Sequence, residues 1–268
     1  MYGALAGDIC GSIYEWHNRK TETPEEIDLF DSRCHFTDDS VLTAGVADAL
    51  LSGGDYKAGI LNWARKYPRS GFGGSFKKWF RDENPQPYNS LGNGSAMRAN
   101  PVGWAFDTLE ETLDEAKKSA EVTHNHPEGI KGAQATAAAI FLARNGTTKA
   151  EIKEYVEKEF AYDLSADLGE LRKTYRFDVI CRGTVPPAIM AFLASNDFAH
   201  ALQTAISLGG DTDTLACITG SIAEAFYKEI PAKLVGFIEG KIPHDMKRVI
   251  KRFHEKYLQG FGLDYYVK

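Results

Sequence analysis

The chain has 268 residues, 43% hydrophobic and 25% charged, which is ordinary globular composition with enough length for one large core. Its formal net charge of −6 argues against a general basic surface for nucleic acid but not against a small anionic ligand in a local pocket. No apolar run approaches the ~18 residues of a membrane span, and the four cysteines, Cys10, Cys34, Cys181 and Cys217, show no C-x-x-C spacing and fit a reducing compartment.

The start, "MYGALAGDICGSIYEW", has no cationic region and carries Asp8 inside its apolar run, so it reads as a poor signal peptide and the expected location is the cytoplasm. Gly3, Gly7 and Gly11 recur every four residues; on a helix they make one bare stripe that lets another backbone approach closely. "DDSVLTAGVADALLSG" (38–53) places Val41, Leu42, Gly45, Ala49 and Leu50 on one helical face. "SLGNGSAMRANPVGW" (90–104) is a Gly-Asn-Gly loop that runs into a helix beginning near Ser95, and "EVTHNHPEG" (121–129) ends one helix and starts the next at Pro127. "EGIKGAQATAAAIFLARNG" (128–146) is an Ala-rich helix closed by Asn-Gly. Segments 184–195, 197–210, 213–227 and 232–241 read as helices too. Strand signals are nearly absent and no linker interrupts the chain, so the expected fold is all-α with residues 1–268 in one domain. Its centre should hold thin, closely packed helices with their ends gathered around something.

Two acidic runs stand at helix starts: "FTDDSV" (36–41) and "GGDTDT" (209–214). One reading makes them caps, since Asp and Thr oxygens accept from free N–H groups and suit the helix dipole. The other notes that each run carries two carboxylates where one cap needs only one. Asp38, Asp39, Asp211 and Asp213 with the hydroxyls of Thr37 and Thr214 would form an oxygen-only cluster whose like charges repel. Mg²⁺ or Mn²⁺ resolves that conflict, whereas zinc is disfavoured without nearby cysteine or H-E-x-x-H. The Gly-Asn-Gly loop is open to two readings as well: a plain turn with Ser95 as cap, or a phosphate cradle at a helix start. No G-x-x-x-x-G-K-[ST] occurs, which excludes a nucleotide-triphosphatase P-loop. His124 and His126 are either a metal pair or polar groups that face solvent or ligand.

"GALAGDICGSIYEW", "FTDDS", "GNGSAMR", "THNH" and "SLGGDTDT", in that order, resemble the ADP-ribosylglycohydrolase family over residues 3 to about 225. The resemblance implies a compact, orthogonal all-helical domain around a binuclear Mg²⁺ centre, Mn²⁺ in some members. By motif position the metal ligands fall on Thr37, Asp38, Asp39, Asp211, Asp213 and Thr214. Diphosphate and distal-ribose contacts fall on Tyr88, Asn89, Ser90, Leu91, Gly92, Asn93 and Gly94, with His124 beside them. The implied activity is removal of ADP-ribose from an ADP-ribosylated protein or small substrate, most often at arginine or serine, with free ADP-ribose as product. The net charge of −6, with Glu15, Asp38 and Asp39 near the expected mouth, would draw a guanidinium and puts the arginine linkage first and serine second, although a Glu at position 15 matches serine-cleaving relatives. Asp38 and Asp39 would then serve as ligand and general base or acid. Glu15 matches the place where some relatives carry a catalytic Glu on a flap. Two other classes remain: a non-catalytic ADP-ribose-binding or structural protein of the same fold, and an all-helical metal-dependent phosphoester hydrolase. The second normally adds several His ligands, and the His-Asp dipeptide here occurs only at 244–245.

Overall fold

Helices form along the whole length, and among the described residues, 1–17 and 20–263, this computed structural model contains no strand. Helix α1 (Tyr2–Gly11) leads through a 3₁₀ turn at Glu15–His17 to α2 (Asp38–Leu51), α3 (Tyr56–Lys66) and α4 (Gly74–Arg81). Two short helices, α5 (Gly94–Met97) and α6 (Asn100–Ala105), precede α7 (Leu109–Glu121), α8 (Pro127–Arg144) and α9 (Lys149–Phe160). Then come α10 (Leu168–Thr174), α11 (Cys181–Ala194), α12 (Phe198–Ile206), α13 (Thr212–Tyr227), α14 (Ala232–Lys241) and α15 (His244–Phe253).

The centre is α13, buried from Thr212 to Ala225 and surrounded by α1, α8, α11 and α12. The small-residue stripe explains how α1 reaches it. A Cβ on Gly3, Gly7 or Gly11 would collide with the carbonyl oxygen of Gly220, Ala216 or Thr212 respectively, so the two helices run antiparallel, backbone against backbone. Glu224 of α13 secures the far end by accepting from the amide of Gly3 at 2.8 Å, and Thr212 Oγ1 donates to Gly11 O at 2.9 Å at the near end.

Some boundaries differ from the sequence expectation. Helix α11 starts at Cys181 rather than 184, although Pro186 and Pro187 lie inside it; the Gly183 carbonyl that Pro187 cannot serve accepts instead from the Tyr175 hydroxyl at 3.1 Å. Helix α12 stops at Ile206 because Gly209 and Gly210 take φ of +74° and +76°. The helix expected from Ser95 onward is broken at Arg98–Ala99, where Pro101 suits the first turn of a new helix better than the middle of an old one.

Substitution of Gly7 by Val should destabilise the protein by about 3 kcal/mol or more, since neither backbone can yield without opening the core. Gly236→Ala, at a helical position with open space around it, should be neutral or stabilise by up to about 1 kcal/mol. Urea unfolding of both variants checks the pair; equal effects would mean that the α1–α13 approach is not a constraint.

Candidate active site and metal centre

The antiparallel run of α1 on α13 places the end of α1 beside the start of α13, and Asp8 draws in a third helix end. Asp8 is fully buried. Its Oδ1 accepts from Thr37 Oγ1 at 2.6 Å, and its Oδ2 accepts from the amides of Thr37 (2.9 Å) and Ser40 (3.1 Å) and from the Ser40 hydroxyl. The start of α2 is thereby tied to α1. In the sequence Asp8 stands out only as a charge within an apolar run; its place inside a helix with a small-residue face is the sign of a buried partner.

Carboxylate oxygens of Asp8, Asp39 and Asp213 lie within 4.8 Å of one another, as do those of Glu15, Asp211 and Asp213. The two triples share Asp213. Thr37 Oγ1 stands 3.3 Å and Thr214 Oγ1 3.5 Å from Asp39 Oδ2. Thr37, Asp39, Asp211, Asp213 and Thr214 are all buried. Asp38 is half-buried, aims Oδ1 toward Gly71 and stands outside both triples while lining the same cavity. Capping accounts for little of this. Thr37 accepts from the Asp39 amide at 3.4 Å, but Asp211 occupies the N-cap position of α13 without capping it. Asp39 Oδ1 is buried with no hydrogen-bond partner among the described residues. An orphaned carboxylate oxygen in an all-oxygen donor set fits a hard divalent cation.

Burial is the leading reason that every one of these carboxyls is harder to ionise than usual, and neighbouring carboxylates add to it for Asp38, Asp39 and Asp213. Asp211 is pushed up to about 6 by burial, against which the Asn93 amide works. Glu15, half-buried, is pushed up to about 7 by burial and by Asp213 and Asp8.

The cluster forms one end of a cavity of about 870 Å³. Tyr88, Ser90, Leu91, Gly92, Asn93, Gly94 and His124 line it, but Asn89 does not: it is exposed, at φ +55°, with its amide donating to Asn125 Oδ1 at 2.7 Å. The loop is braced from outside. Asn93 N donates to Val179 O at 2.8 Å and Cys181 N to Leu91 O at 3.0 Å, while the amides of Gly94 and Ser95 take no backbone acceptor among the described residues. The Asn93 side chain joins the two halves of the site, donating to Asp211 Oδ2 at 2.6 Å and Thr184 Oγ1 at 3.0 Å.

His124 and His126 do not form a metal pair with the carboxylates. His126 Nδ1 accepts from the Glu128 amide at 3.0 Å and caps α8, and neither ring belongs to a carboxylate triple. Asp245, of the His-Asp dipeptide, accepts from the Tyr67 hydroxyl at 2.7 Å and pairs with Lys66 away from the cavity. Of the exposed apolar wall of the cavity, only Leu91 is expected from the sequence. The large hydrophobic side chains that stand exposed among the described residues, Trp16, Leu91, Phe177 and Val179, all line this cavity, with Trp16 stacked on Phe177 at 5.8 Å.

Fold and site together define an all-helical protein with a carboxylate cluster able to hold hard cations beside a glycine loop. The chain belongs to the ADP-ribosylglycohydrolase family, which it matches over residues 1–261. It is 26% identical to the ADP-ribosylhydrolase ARH3 of Mus musculus, covering 90% of this chain and 86% of that protein. It is also 26% identical to the ADP-ribosylarginine hydrolase Tri1 of Pseudomonas putida, over 85% and 69% respectively. A solved structure titled ADP-ribosylglycohydrolase-related protein complex shares the fold with a TM-score of 0.66 at 24% identity, covering 99% of this chain and 94% of that one. At the level of the family, the chain is a hydrolase of ADP-ribose linkages. No helix among the described residues is long and apolar enough to cross a membrane.

The raised carboxyls set a pH dependence of stability. Each binds a proton in the folded chain at pH values where the unfolded chain has released it, so stability is greatest in acid and falls as pH rises. For Glu15 and Asp211 the fall runs from the ordinary carboxyl range up to about 7 and about 6. Chelator-treated protein should therefore melt at progressively lower temperature over that window, and added Mg²⁺ should offset the loss at its upper end. Thermal melts with and without Mg²⁺ decide it; a melting temperature that rises across the window in chelator would contradict the cluster's electrostatics.

Proposed function

We propose that this protein hydrolyses the ribosyl bond joining ADP-ribose to a modified side chain, arginine-linked first and serine-linked second, releasing free ADP-ribose. The observation that carries the reading is the meeting of carboxylates from three helix ends in a cavity whose wall is the Gly-Asn-Gly loop. Thr37, Asp38, Asp39, Asp211, Asp213 and Thr214 would hold two divalent cations, Mg²⁺ or Mn²⁺. Such ions, when bound, orient sugar hydroxyls and make water a better nucleophile. The chain's own residues do the rest. The loop from Tyr88 to Gly94, with His124, receives the diphosphate and distal ribose; Asn89 contributes through the backbone turn rather than its side chain. Departure of the side chain builds oxocarbenium character on the ribose, which the surrounding negative charge favours. Glu15 holds its proton near neutrality, at about 7, and so suits a group that gives a proton to the leaving atom or takes one from water. Asp38 and Asp39 divide the remaining roles of cation ligand and general base or acid; Asp38, half-buried and apart from the triples, is the more accessible of the two.

The arginine preference rests on the carboxylates of Glu15 and Asp38 lining the cavity, where a guanidinium would be drawn, and on the likeness to a relative named as an ADP-ribosylarginine hydrolase. Four free, buried cysteines support a cytoplasmic location, and one core shared by the helices supports a single domain over residues 1–268.

Asp213→Asn and Asp38→Asn should each lower ADP-ribose release by more than about 10²-fold, because the amide lacks the charge that holds and tunes a cation. Glu15→Ala should slow turnover by about 10²-fold while Mg²⁺ binding persists. Unchanged turnover in both Asn variants at limiting Mg²⁺ would remove the metal from the reading, and a two- or threefold effect at Glu15 would make it a positioning residue and leave Asp39 as the proton-transfer group.

The linkage is tested separately, with matched arginine- and serine-modified peptides in one assay. Faster release from the arginine peptide is expected; the reverse order would overturn the preference and leave the hydrolase standing.

A further inference from the structure

We propose that Arg98 and Thr123 are positioning residues that hold His124 in a single neutral tautomer, with the proton on Nε2 and offered to an oxygen of the bound ligand. Arg98 and Thr123 are fully buried and His124 nearly so. Arg98 Nη2 donates to Thr123 Oγ1 at 3.0 Å and to Ser119 O at 2.9 Å, and Thr123 Oγ1 lies 2.6 Å from His124 Nδ1. A guanidinium only donates, so the Thr123 oxygen is an acceptor toward Arg98 and its own hydrogen must go elsewhere. Among the described residues Nδ1 is the one acceptor that hydrogen reaches. Nδ1 therefore accepts, and the ring proton sits on Nε2.

The other edge of the ring faces the loop. A Cβ on Gly94 would stand 3.3 Å from Nε2 and one on Gly92 3.4 Å, and Nε2 itself takes no protein partner among the described residues. The ring is not drawn toward the doubly protonated form: burial disfavours its charge, and so does the nearby Arg98 cation, which no carboxylate pairs among the described residues. Arg98 belongs to "GNGSAMR" and Thr123 to "VTHNH", so the relay joins two separated blocks of the sequence.

The ligand part of this inference rests on the proposed function; the tautomer does not. Nitrogen NMR of ¹⁵N-histidine-labelled full-length protein, with His124 assigned through His124→Asn, reads the tautomer directly. The wild type and Thr123→Ser should show unprotonated Nδ1 and protonated Nε2, and Thr123→Val should lose the single tautomer. Calorimetric titration with ADP-ribose should find affinity about tenfold weaker in Thr123→Val and within about twofold of wild type in Thr123→Ser. Protonated Nδ1 in the wild type, or an unchanged tautomer in Thr123→Val, would overturn the relay. Should Thr123→Val fail to fold, the wild-type and Thr123→Ser spectra decide alone. The expected tautomer in a protein that binds no ADP-ribose would uphold the relay and overturn the reading of the cavity.

Discussion

The contact on which the site depends is made of backbone. Ordinary helices pack with axes about 8–10 Å apart, held off by side chains. Gly3, Gly7 and Gly11 remove that spacer, and the carbonyls of Gly220, Ala216 and Thr212 occupy the room a Cβ would need. The consequence is positional. Asp8 and Glu15, on and just beyond α1, come within carboxylate distance of Asp39, Asp211 and Asp213. Asp8 then serves α2 from a distant part of the chain: Ser40 is the third residue of that helix, and its otherwise unpaired amide is satisfied by an α1 carboxylate. One close approach thus fixes three helix ends.

Such a gathering opposes folding on electrostatic grounds. Desolvation raises each carboxyl, and the neighbours raise several further. The apolar core that runs through α1, α2, α8, α11 and α13 supplies the opposing stability. Function and folding pull in different directions at this point, as is usual where charge is concentrated for chemistry. A bound cation would turn the same repulsion into attraction, and the all-oxygen donor set fits one.

Much of this was legible in the sequence, for identifiable reasons. The glycine stripe states its own requirement, because a four-residue period of bare positions has little use except close approach. The excess of carboxylates over capping needs in "FTDDS" and "GGDTDT" pointed inward, and the structure buries Asp39, Asp211 and Asp213. What stayed hidden depends on partners remote in the chain. Asp8 looks like a flaw in an apolar helix until α2 is set beside it. Trp16 and Phe177 are unremarkable aromatic residues apart, and they stack only because two loops meet at the cavity rim. Asn89 carried the same weight as its neighbours within the loop, yet a left-handed backbone turns it out. Helix α11 runs back past its expected start, and the Gly183 carbonyl that Pro187 leaves without an amide finds the Tyr175 hydroxyl, a partner remote from the proline pair in the sequence pattern.

The loop and the cluster are also less separate than their distance in sequence suggests. Asn93, read from sequence as a ligand-loop residue, spends its amide on Asp211 and Thr184. That bond places a donor where the cluster has an excess of acceptors, and it works against the elevation of the Asp211 carboxyl by burial. It also gives the glycine turn a fixed point, with Gly92 held in addition by its amide donating to Ser90 Oγ at 3.1 Å and its carbonyl accepting from Cys181 Sγ at 3.0 Å. Arg98, four residues past Gly94, extends the same logic: among the described residues no carboxylate pairs its charge, and its Nη2 donates to Thr123 Oγ1 and Ser119 O. The "GNGSAMR" block therefore faces three ways at once. Its glycines meet the cavity, its asparagine meets the carboxylates, and its arginine meets the histidine wall, so a short run of residues ties the carboxylate cluster, the loop and the histidine wall in one fixed relation.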